Sequence, residues 1–204
     1  MAAKYRRPAQ LTPEQVELIE GDAGTEARME LAHATASALV PLGRQRYEAA
    51  TKERILEVIE DEGIDGIAET WVDAPENSLP GVLWRGYLLS EWIRRYPEEV
   101  AQRYTAAKII YGEKNADQVA LVVTPAILKS MWDEVFDGDF DGDFVDVIRQ
   151  SARFTHLLSI VTQAWIDDDG HPLATHVTLR DTAMTRTSED FRRAGEELLS
   201  GTLA

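Results

Sequence analysis

The chain has 204 residues, of which 21 are Lys or Arg and 36 are Asp or Glu, so its formal net charge is −15. Acidic residues exceed basic ones in both halves of the chain, which argues against a broad surface for nucleic-acid phosphates. Cysteine is absent, which excludes disulfides, thiolate nucleophiles, iron–sulfur clusters and cysteine-ligated zinc. The 44% content of hydrophobic residues is enough for a buried core.

The sequence contains no segment typical of export or membrane anchoring. Residues 1–10 include three basic side chains, but no apolar run follows them as it does in a secretory signal. No segment approaches the roughly 20 consecutive apolar residues of a membrane span. We therefore expect a cytoplasmic protein that does not associate with membranes.

Helix boundaries in the first half of the chain are marked by capping residues, proline and glycine. Thr12 begins a capping box, and Gly21 ends the first predicted helix. Ser78 caps a strongly apolar helix, and the segment 73–78 before it is the clearest loop of this half. The predicted helices, with apolar residues three or four positions apart, are 12–21, 25–40, 47–62, 64–72 and 78–95.

Similar signals mark the second half. Pro97 opens a predicted helix, Gly112 ends it, and Asn115 starts a second capping box. The run 119–123 has the β-branched content of a strand, but the Thr-Pro pair that follows favours a helix that restarts there. The remaining elements are helices 124–136 and 144–166, a turn at 167–170, a short strand or irregular arm at 171–181, and a last helix that Thr187 caps and that ends near Ser200.

These elements predict an all-α fold, a compact multi-helix domain of eight to nine helices with one short strand or irregular arm near 171–181. The sequence has no repeat of fixed period and no low-complexity linker, so we expect residues 1–204 to form a single domain. If the chain divides into two domains, the loop 73–78 is the expected boundary.

The acidic segment 137–143 is the sharpest candidate for a metal site. It resembles the first half of an EF-hand calcium loop, with acids at loop positions 1, 3 and 5 and glycine at position 6. Ile148 stands at position 12, where that loop needs a bidentate glutamate, so the match covers six residues only. The hypothesis is weak binding of Ca²⁺ or Mg²⁺, and the favoured alternative is a solvated loop whose last acids cap the next helix. The predicted ligands are Asp137, Asp139, Asp141 and Asp143.

Two other groups contain residue types that bind metals. The segment 167–176 combines three aspartates and two histidines, but it matches no known ligand spacing. Glu53, Glu57 and Glu60 share one face of a predicted helix, and Glu69 follows on the next. Paired helical carboxylates of this kind suit magnesium-dependent chemistry, whereas an ordinary charged helix face is the favoured interpretation.

The predicted helix 78–95 combines aromatic and basic residues. Aromatic stripes at helical spacing are usually core, and this is the favoured interpretation. Trp, Tyr and Arg together are also the residues that dominate protein–protein interfaces, and the adjacent Arg94 and Arg95 suit an anionic ligand or a partner's carboxylates. The candidate interface or ligand residues are Trp84, Arg85, Trp92, Arg94 and Arg95.

The favoured function is a non-enzymatic interaction or regulatory protein, an acidic helical domain with a protein partner or with self-association through its aromatic helices. One alternative is a magnesium-dependent nucleotide phosphohydrolase that uses the helical carboxylates. A second is a repressor-like sensor of DNA or a small molecule, because the segment 55–92 reads as helices joined by a short turn. Only Arg85 lies near the start of the helix that would contact DNA, so nucleic-acid binding is not expected. The sequence contains no P-loop, dinucleotide fingerprint or nucleophile elbow.

Overall fold

The computed structural model describes residues 21–40, 49–138, 140–160 and 180–203. These ranges contain eight α-helices and no strand, which confirms the predicted all-α fold. The helices are α1 (Gly21–Leu39), α2 (Ala49–Glu62), α3 (Ile64–Glu69), α4 (Leu79–Arg95), α5 (Pro97–Ala120), α6 (Pro125–Phe136), α7 (Phe144–Ser159) and α8 (Arg180–Ser200).

Helices α4 and α6 begin with the N-cap hydrogen bonds that the sequence predicts at Ser78 and Thr124. The Ser78 hydroxyl accepts from the backbone N–H of Gly81 at 3.3 Å. The Thr124 hydroxyl accepts from the backbone N–H of Ile127, also at 3.3 Å. Each cap satisfies a backbone donor that has no partner within the first helical turn. Between α2 and α3, Gly63 has a φ of +82°, a conformation that residues with a side chain rarely adopt.

The helix predicted to end at Gly112 extends two residues further, and the chain kinks at Asn115, the residue predicted to cap the next helix, so that both predicted helices are parts of α5. The φ and ψ of Asn115 are −136° and 41°, outside the helical region. The Asn115 side-chain amide donates to the carbonyl of Tyr111 at 3.2 Å. On the other side of the kink, the Tyr111 hydroxyl bonds to the side-chain carbonyl of Gln118 at 2.6 Å. These bonds let the helix change direction without a glycine terminus.

The predicted cap of the last helix at Thr187 is wrong, since α8 begins at Arg180 and Thr187 lies inside it. Met184, in the added turns, packs against the core, and this burial favours a longer helix than its cap signal indicates. Residues 180–181 of the predicted arm are therefore helical. The rest of that arm, residues 12–20 of the first predicted helix and the end of the predicted helix 144–166 lie outside the described residues. Gly21, which was predicted to end the first helix, is instead helical and belongs to α1.

The core is centred on the indole of Trp132 in α6. Its ring stacks on Phe136 with centroids 5.4 Å apart and lies 6.1 Å from the ring of Phe191 in α8. The indole N–H donates to the hydroxyl of Ser151 in α7 at 2.9 Å, so the buried polar atom has a partner. On the α4 side, Gly86 faces the same ring, which brings four helices together around one side chain.

A second buried tryptophan ties α1 to the turn after α3. The Trp71 indole N–H donates to the hydroxyl of Thr35 at 3.0 Å, and Thr35 in turn bonds to the Leu31 carbonyl at 2.9 Å. Both Trp71 and Thr35 are buried. The buried apolar residues of the described ranges form one cluster that includes residues before and after the loop 73–78. The single-domain assignment itself stays a prediction.

Helices α7 and α8 pack as an antiparallel pair. The Ser188 hydroxyl of α8 donates to the Ala152 carbonyl of α7 at 3.0 Å. Further along the pair, the Cβ position of Gly195 lies 3.5 Å from the Ile148 side chain. Earlier residues of α7 thus contact later residues of α8, so the two helices run in opposite directions. None of the described helices is long and apolar enough to cross a membrane.

Candidate binding groove

A groove of about 570 Å³ runs along the outer side of the α7–α8 pair. Its apolar lining contains the fully buried Ile148 and Phe191, and Leu199 at its edge is 70% exposed. Grooves of this volume with apolar walls are typical of binding sites. The remaining lining residues are Val145, Arg149, Ala152, Arg153, His156, Ser188, Glu189, Arg192, Gly195 and Glu196.

Three arginines line the groove in a chain of strongly negative net charge. Arg149 lies 3.4 Å from the carboxylate of Asp146, and both side chains are nearly half exposed. Arg192 pairs with Glu196 at 2.7 Å, one helical turn away. Arg153 is half-buried and has no ion pair or hydrogen bond with any described residue. The groove therefore combines an apolar lining with three arginines, two of which pair with a carboxylate.

Arg153 differs from the other incompletely exposed cations of the described ranges, each of which has a partner. Arg85 pairs with Asp190 at 3.1 Å. Arg103 donates to the carbonyl of Leu158 at 2.9 Å, and Lys129 pairs with an aspartate one turn away on its own helix. A cation that is partly desolvated without a partner has lost hydration and gained no compensating bond. Among the described arginines and lysines that are not exposed, Arg153 is thus the one without a partner in the described ranges, and an anionic group can pair with it.

The sequence predictions did not include this groove. Arg149, Arg153 and His156 recur at spacings of four and three, so they share one face of α7, and this basic strip in an acidic chain is the signal that was available. The apolar half of the groove comes from α8, and no local pattern indicates which helix packs against which. His156 is exposed and makes an edge contact with the Tyr111 ring, with centroids 6.2 Å apart.

The acidic segment predicted to bind a cation is a loop between α6 and α7. The Asp143 carboxylate accepts from the backbone N–H of Val145 at 2.9 Å, so it caps α7 as the favoured alternative predicts. Asp137 and Asp141 are exposed, and Asp139 lies outside the described residues.

The glycine geometry of this loop differs from an EF-hand. Gly138 has a φ of +85°, whereas Gly142, at loop position 6, is not among the described residues with positive φ. Among the described residues, no three His, Asp or Glu side chains are placed to hold a metal ion. Binding of Ca²⁺ or Mg²⁺ by Asp137, Asp139, Asp141 and Asp143 stays a prediction.

The candidate interface residues of α4 do not share one surface. Trp92 is buried in the core, and Trp84 is partly buried and stacks on Tyr87 with centroids 5.6 Å apart. Arg85 donates to Asp190 of α8 at 3.1 Å and also lies 3.4 Å from Glu76. Of the five predicted residues, these three mainly hold the fold together, which agrees with the favoured core interpretation.

Arg94 and Arg95 are exposed, and both bind the carboxylate of Glu91 one turn earlier. The hydrogen bond from Arg94 lowers the pKa of Glu91, with Arg95 adding to the effect against the opposing effect of burial. Near this group, burial raises the pKa of Tyr87 to about 12, and the hydrogen bond from its hydroxyl to Asp65 at 2.9 Å adds to the shift. The two arginines therefore already have an internal anionic partner, although their role in binding is untested.

The helical carboxylates lie apart from the groove. Glu53 and Glu57 are exposed on α2, and the side chain of Glu60 is not among those described. Glu69 lines a second cavity, of about 480 Å³, between α1 and the turn after α3, together with His33 and Arg28. This cavity carries both signs of charge, and its carboxylates form no cluster suited to a metal ion among the described residues. The acidic and histidine residues of segment 167–176 lie outside the described ranges.

No protein-family model, curated protein or solved structure matches this chain.

Proposed function

We propose that this chain is a non-enzymatic interaction protein, and that the groove between α7 and α8 binds a helical segment of another protein. The observation that carries this proposal is the largely apolar lining of the groove, in which Leu199 at the edge is 70% exposed. An exposed apolar surface beside polar residues is typical of a binding surface. A cytoplasmic location stays part of the expectation.

The dimensions of the groove suit a helix. Its lining extends from Val145 to His156 on α7, eleven residues apart, which is about 16 Å or three helical turns. A helix placed on an antiparallel helix pair packs its side-chain ridges between those of the pair, and helix-in-groove binding is a common mode of recognition. The resulting three-helix contact would cover the apolar lining.

Charge favours a different protein over a second copy of this chain. Two copies that each carry a net charge of −15 repel one another over their whole surfaces, whereas a different protein can bind without that net repulsion. Of the two tryptophans predicted to lie at an interface, Trp92 is buried and Trp84 is partly buried. The phosphohydrolase and repressor-like alternatives stay predictions that no particular contact favours.

The proposal is tested with three synthetic amphipathic peptides of about 16 residues, long enough to form a helix in the groove. All three carry the same leucine stripe. The positions beside the stripe are all Glu in the first peptide, all Gln in the second and all Lys in the third. Binding to the full chain is followed by fluorescence anisotropy. We expect at least one peptide to bind, and binding by none of the three contradicts the proposal.

A variant that fills the groove tests whether the peptide binds there. Gly195→Leu adds a side chain to the lining, and its Cβ meets Ile148 at an ordinary contact distance of 3.5 Å, so the fold is expected to persist. The matched control is Gly66→Leu, at an exposed glycine of α3 whose Cβ meets no other atom within 4 Å. We expect the affinity to fall at least tenfold in Gly195→Leu only. Equal affinities in the two variants contradict the groove as the site.

A second pair of variants avoids any effect on folding. Leu199→Ser removes an apolar side chain from the edge of the groove, and Leu88→Ser removes an exposed leucine of α4 outside it. We expect weaker peptide binding in Leu199→Ser and unchanged binding in Leu88→Ser, because Leu199 contributes apolar area to the groove and Leu88 does not. The reverse order contradicts the proposal.

A further inference from the structure

From the charge of the groove, we infer that its partner is an acidic helix, with carboxylates flanking the apolar stripe, and that Arg153 is the residue that selects for it. This inference rests on the proposed function and adds the chemistry of the partner. It starts from the one half-buried arginine that has no ion pair or hydrogen bond among the described residues.

The charges around Arg153 leave room for an external carboxylate. On its own helix, Arg149 one turn earlier has a long ion pair of 3.4 Å with Asp146. On α8, which forms the facing wall, the Arg192 guanidinium already binds Glu196, and Glu189 is exposed. The groove lining carries three arginines and two glutamates, and Asp146 beside it pairs with Arg149, so Arg153 is the arginine of the lining without a carboxylate partner among the described residues.

The position of Arg153 makes the groove selective for a carboxylate over an ammonium group. Because the side chain is half-buried beside an apolar lining, its guanidinium is screened by solvent less than an exposed cation is. A carboxylate that binds there gains a charge-assisted hydrogen bond, and an ammonium group at the same place is repelled. Among helices that fit the groove, affinity thus depends on the charge of the residues beside the apolar stripe.

The three peptides defined above test this inference. We expect affinity to fall in the order Glu, Gln, Lys, with about a tenfold difference between the Glu and Gln peptides, the usual scale for one charge-assisted bond. Arg153→Gln is expected to remove that difference. The matched control is Arg193→Gln, at an exposed arginine of α8 that does not line the groove, and it should keep the difference.

The outcomes separate the inference from the proposed function. If all three peptides bind equally, or the Lys peptide binds best, while Gly195→Leu still blocks them, the acidic partner is wrong and the groove is right. If no peptide binds, the proposed function itself fails. Vesicles of phosphatidylserine serve as a further probe. Binding to vesicles that is lost in Arg153→Gln, with no preference among peptides, overturns the inference in favour of an anionic lipid surface.

Discussion

Gly86 shows how one residue without a side chain sets the contact between two helices. A Cβ atom at this position would lie 2.2 Å from ring atoms of Trp132, far inside van der Waals contact. The indole cannot retreat easily, since it is buried, stacks on Phe136 and donates to Ser151. The approach of α4 to α6 therefore depends on glycine at this point.

We predict that Gly86→Ala lowers the free energy of unfolding by about 3 kcal/mol, as expected for overpacking a core that cannot yield. Gly66→Ala is the matched control, because its Cβ meets nothing within 4 Å. It should raise stability by about 0.5–1 kcal/mol through the higher helix propensity of alanine. Urea unfolding followed by circular dichroism measures both, and similar values for the two variants contradict the close contact.

Tyr87 provides a prediction on pH dependence. Burial and the hydrogen bond to Asp65 raise its pKa to about 12, so the folded chain holds this proton more tightly than the unfolded chain does. The contribution of Tyr87 to stability is therefore complete below about pH 10 and is lost as the pH rises to about 12.

The pKa is measured by ultraviolet titration of tyrosinate, with Tyr87→Phe identifying the signal of Tyr87. Asp65→Asn removes the negative charge beside the phenol, so we expect the midpoint of Tyr87 to fall towards the ordinary value of 10.0. A midpoint that stays at about 12 in Asp65→Asn would show that the carboxylate does not contribute.

At the scale of elements, α7 depends on its cap as well as on its packing. Asp143 satisfies one of the free backbone donors of the first turn and places negative charge at the positive end of the helix dipole. Because α7 forms one wall of the groove, fraying of its first turn also moves Val145 out of the lining.

We predict that Asp143→Ala costs about 0.5–2 kcal/mol of stability, the usual effect of losing an N-cap. Asp141→Ala, at an exposed aspartate two residues earlier, is the control and should change stability by less than about 0.5 kcal/mol. Both measurements are made with EDTA, so that any bound cation is absent. Equal effects of the two variants would show that the cap is not significant.

At the scale of the whole molecule, Arg85 links helices that are far apart in the chain. Its guanidinium binds Asp190, 105 residues later, and its other nitrogens contact Glu76 and the Gly81 carbonyl. The side chains of Arg85 and Asp190 are only 14% and 8% exposed, so either charge alone would be poorly solvated. This pair positions α8, and with it one wall of the groove, against α4.

We predict that Arg85→Met lowers the free energy of unfolding by about 2–3 kcal/mol, because Asp190 is left buried without its partner. The double variant Arg85→Met/Asp190→Leu should recover part of this loss, as a double-mutant cycle in urea shows. Arg94→Met, which removes an exposed cation of the same helix, should cost less stability than Arg85→Met does. A loss in Arg85→Met no larger than in Arg94→Met contradicts the link.

Local sequence alone was sufficient for the fold class and for several helix boundaries. Ser78 and Thr124 cap helices at the predicted residues, because a cap depends only on the side chain and the next few backbone donors. The same local rules failed at Thr187, where the packing of Met184 against the core outweighs a cap signal, and they ended a helix at Gly112, two residues too early, ahead of the kink at Asn115. The cap formed by Asp143 was likewise foreseen as the alternative to a cation site.

Tertiary structure alone decided which faces are covered. Trp92 and Arg85 match an interface pattern, yet one lies in the core and the other binds Asp190. The groove needs Ala152 of α7 beside Ser188 of α8, 36 residues later, and no helical period reports a contact of that range. Side-chain chemistry and short-range bonding determine where helices form. Burial of apolar area between distant segments determines how the helices pair, and it places the half-buried Arg153 in a groove between α7 and α8.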